Sequence, residues 1–325
     1  MIAWAARHRV LVAALVVLGA GVAWLTAANL AFDRSCTDQP GSAEEVVVVD
    51  GVAIHYVERG SGPPVVMLHG DGGSVLDFTL SPIVQQLATR YRVVVIDRPG
   101  HGHSDAAQPV GSLVEQARLV RGAVAALDLE DPVLVGHSRG ATVMAAYLDA
   151  FGDEVAAAVS VGGDLLGTPD PADYGAYRPV TWPLIGPTVV EVFYRPAVRA
   201  ADHRLLREGL DHAFAPEGPA PTPYVRAYAC QWVSVSNLAA TYRLMQDTRA
   251  VMPEVRGRYG ELNVPVFIVH GRADGNVALA EAVRADELLA DSELRVIDAA
   301  GHELPFTRPD AVTRAIDDAV ARAGR

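Results

Sequence analysis

Apolar positions fall into two kinds of run along this chain. One is long: Val10 to Phe32 covers 23 residues without a charge, and only Thr26 and Asn29 interrupt it. The others are short. They span Glu45–Asp50, Val52–Glu58, Val65–His69, Arg92–Asp97, Pro132–Gly136, Ala157–Gly162, Val264–His270 and Leu294–Asp298, and each reads as a strand. Asp50-Gly51 joins the first two as a hairpin turn. The later runs are rich in β-branched residues and do not alternate with polar ones, which marks strands covered on both faces. Between them, helical periodicity predicts helices over Ser81–Thr89, Ser112–Leu127, Gly140–Phe151, Val277–Leu289 and Pro309–Ala323. A hairpin followed by strand–helix repeats predicts an α/β fold: a mostly parallel sheet with helices on both faces.

Residues 164–260 break this rhythm with eleven prolines and many aromatics, and no strand pattern runs through them. Because the alternation resumes at Val264, the segment reads as a helical insertion between two sheet strands. A separate small domain is the alternative.

The long apolar run has the length of a membrane span, since about 20 residues at roughly 1.5 Å rise cross a bilayer core. Arg7 and Arg9 precede it, and Asp33, Asp38, Glu44 and Glu45 follow it. That asymmetry puts the N-terminus in the cytosol and the remainder outside. An uncleaved signal anchor over 1–32 is the first reading. A cleaved signal peptide, which would release the protein, and a buried core helix are the others. Residues 33–44 are polar, contain Pro40 and Gly41, and read as a linker to a folded body over 45–325.

Composition narrows the chemistry. All 27 basic residues are arginine, so a lysine Schiff base and a P-loop lysine are excluded. A net charge of -12 with no basic stripe makes nucleic acid an unexpected partner. It also predicts repulsion from anionic headgroups, leaving membrane binding to the anchor alone. Cys36 and Cys230 cannot build a zinc cluster, and their pairing is open.

The strongest chemical signal is Gly136-His137-Ser138-Arg139-Gly140, set between an apolar strand and a helical pattern. This is the strand–turn–helix setting that G-x-S-x-G requires, with glycines where side chains would collide. Ser138 is the candidate nucleophile and needs a base. His302, in the loop after the last strand, is that base. Asp274, after the strand ending at His270, is the acid that fixes the imidazole, with Asp164 as rival. The glycine-rich turn His69–Ser74 offers backbone N–H groups. The N–H of Asp71, with Gly72 second, and that of Arg139 form the expected oxyanion hole. Asp71 should turn its carboxylate away. The turn Asp97–Ser104 shapes the floor of the site, and a metal on His101 and His103 is not expected. His137 is a packed elbow residue. The Arg139 side chain either binds a substrate carboxylate or pairs with an acid.

Together His69-Gly70, Asp97–Ser104, Gly136–Gly140, Asp274 and Gly301-His302 resemble the α/β-hydrolase superfamily, in its serine-nucleophile branch, over about Glu45 to Ala323. The resemblance implies the α/β-hydrolase fold, with 164–260 as its helical lid, and no cofactor. It implies hydrolysis of a small-molecule substrate, first a carboxylic ester with apolar acyl or aryl groups. Amide, thioester and carbon–carbon bonds are alternatives on the same triad, and a non-catalytic binding protein is a further one. A serine at the nucleophile position disfavours dehalogenase and epoxide hydrolase chemistry.

Overall fold

Strands that are apolar at every position must be covered on both sides. The computed structural model, which describes residues 2–36, 45–106, 111–167, 174–200 and 203–324, shows how. One sheet contains β1 (Glu45–Val49), β2 (Val52–Arg59), β3 (Pro64–Leu68), β4 (Arg92–Ile96), β5 (Val133–His137), β6 (Ala157–Val161), β7 (Val266–Gly271) and β8 (Ser292–Ile297). Their order is β1-β2-β4-β3-β5-β6-β7-β8. β2 runs antiparallel to β1 and β4, and the other pairings are parallel.

Alternate residues of the central strands enter two separate cores. Val66, Leu68, Leu134 and Ile268 face one, while Val65, Met67, Val135 and Val269 face the other. Each such side chain contributes about 1.5–3 kcal/mol on burial. Helices Leu113–Ala126, Arg139–Phe151 and Leu279–Leu288 cover the first face, and Ile83–Leu87 and Pro309–Ala323 the second. The fold is therefore the expected one. Element ends differ where burial is incomplete. β8 starts at Ser292, two residues before the apolar pattern does, because this edge strand is only half-buried. The helix predicted over Ser81–Thr89 shrinks to Ile83–Leu87, and a short helix over Leu76–Thr79 precedes it unpredicted.

Residues 164–260 hold helices joined by turns, and no strand among the described residues, with the longest elements at Arg204–Phe214, Thr222–Trp232 and Val235–Gly257. We call them the lid. Helix Val235–Gly257 starts at a Ser234 cap, whose hydroxyl accepts the Asn237 N–H at 3.1 Å.

The N-terminal helix corrects two expectations. It runs without a break from Ile2 to Cys36, so residues 33–36 are helix and not linker; 37–44 lie outside the described residues. Nor does its end stand apart from the fold. Phe32 is buried among Val180, Val190, Val198 and Val233 of the lid, and the Arg195 guanidinium lies over its ring. Asn29 donates to the Glu191 carbonyl at 3.2 Å, and Cys36 forms a disulfide with Cys230. This packing sustains the helix through polar Asp33 and Arg34. Only 6% of the apolar window Leu15–Phe32 is buried, which rules out a core helix.

Candidate active site

The carboxyl ends of β3, β5, β6, β7 and β8 converge on one edge of the sheet, where open α/β sheets bind ligands. Ser138 follows β5 and opens the helix Arg139–Phe151 with φ 51° and ψ -123°, a sparsely allowed conformation held from several sides. Its N–H donates to the Val161 carbonyl at 3.2 Å, and its carbonyl accepts from Ala141 at 3.0 Å and Asp164 at 3.1 Å. The flanking glycines are required by backbone packed against the turn, and for Gly136 that backbone includes Gly140 itself. A Cβ on Gly136 would lie 2.6 Å from the Ala141 backbone, and one on Gly140 would strike the Leu68 carbonyl of β3.

His302 Nδ1 lies 2.8 Å from Asp274 Oδ2. Asp274 is oriented by the N–H groups of Asn276 and Val277, which donate to its Oδ1 at 2.8 and 2.9 Å. Burial alone would depress the His302 pKa, but the Asp274 carboxylate beside it wins and holds the imidazole above its ordinary value. Burial pushes Asp274 up, and His302 outweighs this, leaving the carboxyl below the usual carboxylate range. Asp164, the rival acid, is paired with the Arg139 guanidinium. The structure thus gives Asp274 to His302 and Asp164 to Arg139.

The loop after β3 has its carbonyls occupied. Arg98, fully buried, donates through Nε to His69 O at 3.0 Å and through Nη2 to Gly70 O at 2.8 Å. Tyr228 and Asn237 of the lid donate to Asp71 O at 3.1 Å and Gly72 O at 3.0 Å. With four carbonyls fixed from outside, the loop can offer its N–H groups to a ligand. A Cβ on Gly70 would lie 3.1 Å from Ser138 Cβ, so this loop abuts the serine. Gly72 has φ 63° and leaves no room for a Cβ beneath Trp232 and Tyr228. The Asp71 carboxylate acts on Arg98, whose pKa burial lowers to about 10.

Ser138, His302, Asp71 and Gly72 line a cavity of about 590 Å³, within the range of small-molecule sites. Its walls are mostly lid aromatics and aliphatics: Tyr177, Phe193, Tyr194, Leu206, Tyr224 and Trp232. Two buried acids also line it. Burial pushes Asp77 up to about 8 and Glu303 up to about 7. Asp77 accepts the Tyr224 hydroxyl at 3.2 Å. His137 lines the cavity as well, stacked edge-on to Phe78, with burial lowering its pKa to about 3. His137, His302 and Glu303 bring one ligand atom each within 4.8 Å, so among the described residues they are the group that could hold a cation. A cation there would take the imidazole lone pair that a base needs.

Sequence reasoning passed over Arg98, Asp77 and Glu303. Arg98 stands in Asp97-Arg98-Pro99-Gly100, and a charge inside a Pro-Gly turn after a strand was its available signal. His55, paired with Asp97 at 2.8 Å, had none. His101 is buried edge-on to His69.

The profile of the α/β hydrolase fold family matches residues 63–309. A 2-hydroxy-6-oxononadienedioate/2-hydroxy-6-oxononatrienedioate hydrolase of Pseudomonas putida is 26% identical over 281 residues, covering 82% of this chain and 90% of the relative. Among solved structures, an α/β hydrolase fold protein from Burkholderia ambifaria superposes with a TM-score of 0.70 at 23% identity, over 84% of this chain and 97% of its own. A membrane phospholipase A superposes with a TM-score of 0.64 at 20% identity, over 97% of this chain and 96% of its own, so the likeness in fold extends into the N-terminal helix. The family profile spans well over half the chain, and the chain belongs to the α/β-hydrolase fold family, as a hydrolase.

Proposed function

We propose that this protein is a membrane-anchored serine hydrolase that cleaves carboxylic esters carrying an apolar acyl or aryl group. Ser138 attacks the acyl carbon while His302, held by Asp274, takes the hydroxyl proton. The N–H groups of Arg139 and Asp71 hold the oxyanion, each worth about 2.7–4 kcal/mol in the transition state. His302 returns the proton to the leaving alcohol, and water repeats the sequence on the acyl-enzyme.

The observation that carries the ester reading is the lack of a fixed cation in the cavity wall. Among the described residues that line it there is no arginine, the chain has no lysine, and burial favours the neutral forms of Asp77 and Glu303. Arg139, the cation beside Ser138, is taken by Asp164. A neutral substrate with an apolar tail suits such a site. The second reading is carbon–carbon bond hydrolysis on the same triad, favoured by the names of relatives such as the dienedioate hydrolase of Pseudomonas putida. A dicarboxylate would find no arginine or lysine in the wall to offset its desolvation, which weighs against that substrate here.

The arginines before the apolar run support an N-terminus in the cytosol with the hydrolase body outside. The Cys36–Cys230 disulfide suits an oxidising compartment. Burial of Phe32 in the lid supports a retained helix over a cleaved one.

Acyl-enzyme formation tests the proposal. Mixed with a p-nitrophenyl ester and quenched in acid, the protein should gain the mass of the acyl group on the peptide containing Ser138. An acyl group found on another residue, or turnover with no adduct at any quench time, would contradict it.

A further inference from the structure

The end of the apolar helix is bonded to the lid within the part that a bilayer would hold. The window Leu15–Phe32 is 18 residues long. At 1.5 Å per residue it spans roughly 27 Å, close to the hydrocarbon thickness. Ala28, Asn29 and Phe32 belong to its last turns, and all three touch the lid. Arg199 donates to the Ala28 carbonyl, Asn29 donates to the Glu191 carbonyl, and Phe32 is buried among lid residues. The disulfide at Cys36 fixes the arrangement covalently. Wherever this helix crosses a membrane, the lid segment around Glu191–Arg199 is held at the membrane surface.

That same segment and the turn before it expose apolar side chains. Leu184 is 92% exposed, Phe193 64%, and Trp182, Ile185 and Val192 also stand in solvent. Val192 and Phe193 immediately follow the Glu191 carbonyl that Asn29 bonds. The charge here departs from the rest of the chain: residues 174–210 hold five arginines against three acids, in a protein of net charge -12. Phe193 also lines the active-site cavity, as the most exposed of its large apolar side chains.

We propose that the lid is a second membrane-docking surface, seating Trp182, Leu184, Ile185, Val192 and Phe193 in the lipid interface beside the anchor. The cavity then opens at Phe193 toward the bilayer, and the substrate is a membrane-resident acyl ester that reaches Ser138 without crossing water. This revises the expectation that the anchor alone binds the membrane. The substrate half rests on the ester reading above; the docking half does not.

The test uses the full chain reconstituted in phosphatidylcholine vesicles. Leu184→Asp/Ile185→Asp changes two exposed residues that do not line the cavity. It should leave hydrolysis of a short, soluble p-nitrophenyl ester within about twofold of native. Hydrolysis of a long-chain fluorogenic ester held in the vesicles should fall by about tenfold or more. Equal rates on the vesicle-borne ester would overturn the substrate half, whereas loss on the soluble ester in the native chain would instead refute the ester reading. Docking is read independently of activity. Lipids brominated near the headgroup should quench native tryptophan fluorescence more than that of Trp182→Phe. Equal quenching places Trp182 away from lipid, as a protein partner on this surface would require, and overturns the docking half.

Discussion

Ser138→Ala should lower kcat on any accepted ester by about 10⁶-fold while leaving the fold intact. In the proposed mechanism the hydroxyl oxygen bonds to the acyl carbon, so its loss should remove the covalent route altogether. Alanine at φ 51° is no more strained than serine, and the backbone bonds to Val161, Ala141 and Asp164 do not use the side chain. Circular dichroism and the thermal midpoint should therefore match the native protein. A residual rate of about 10³–10⁴ over water is expected from the oxyanion donors and binding. Fluorophosphonate labelling should vanish with turnover. Undiminished labelling would move the nucleophile elsewhere.

The two acids near the site should separate into a kinetic and a structural class. Asp274→Asn should reduce kcat by about 10⁴-fold with little loss of stability, because the N–H groups of Asn276 and Val277 hold the amide oxygen and turn its NH2 toward Nδ1, where it donates and leaves His302 in the wrong tautomer. The pH profile should move with it. In the native chain His302 must be neutral to act as base, so kcat/KM should rise with pH through an apparent pKa above the ordinary imidazole value. Without the Asp274 carboxylate the burial of His302 loses its main opponent, and that limb should shift to lower pH. Asp164→Asn should behave differently. It strands the buried Arg139 guanidinium, at a cost of about 3–5 kcal/mol. The thermal midpoint should drop by roughly 10 °C while the remaining folded protein keeps most of its kcat. Kinetic assays beside thermal melts check both, and the reverse ranking would exchange the roles of the acids.

How legible all this is in the sequence depends on what each residue answers to. β3 to β7 are apolar on both faces, so their runs announce them. β8 at the sheet edge buries only part of itself, and its Ser292-Glu293 start carries no apolar signal. The nucleophile elbow is readable because its constraints are local: Gly136 and Gly140 answer to backbone atoms packed against the turn. Asp274 and His302 are readable because each follows a strand. Asp274 is already preferred over Asp164 by its place in the chain order, and the third dimension adds that Arg139 claims Asp164. Arg98 was hidden because its partners meet only in the third dimension. Its four hydrogen bonds join β3's loop to a turn 28 residues away and to Gln116, and nothing in local spacing encodes them. The end of the N-terminal helix was misjudged because Asp33 and Arg34 look like a linker. What keeps them helical is contact with lid residues about 150 to 200 positions later.

The central claim is that this site cleaves neutral, apolar esters and not the carbon–carbon bonds of its named relatives. The most direct measurement is kcat/KM on a matched pair: a medium-chain p-nitrophenyl ester and 2-hydroxy-6-oxononadienedioate, with Ser138→Ala as the blank for both. The account predicts Ser138-dependent turnover of the ester, and turnover of the dienedioate lower by about 10²-fold or more, since its two carboxylates find no arginine or lysine in the cavity wall to offset their desolvation. A higher kcat/KM for the dienedioate, also dependent on Ser138, would contradict the account and assign carbon–carbon bond hydrolysis in its place.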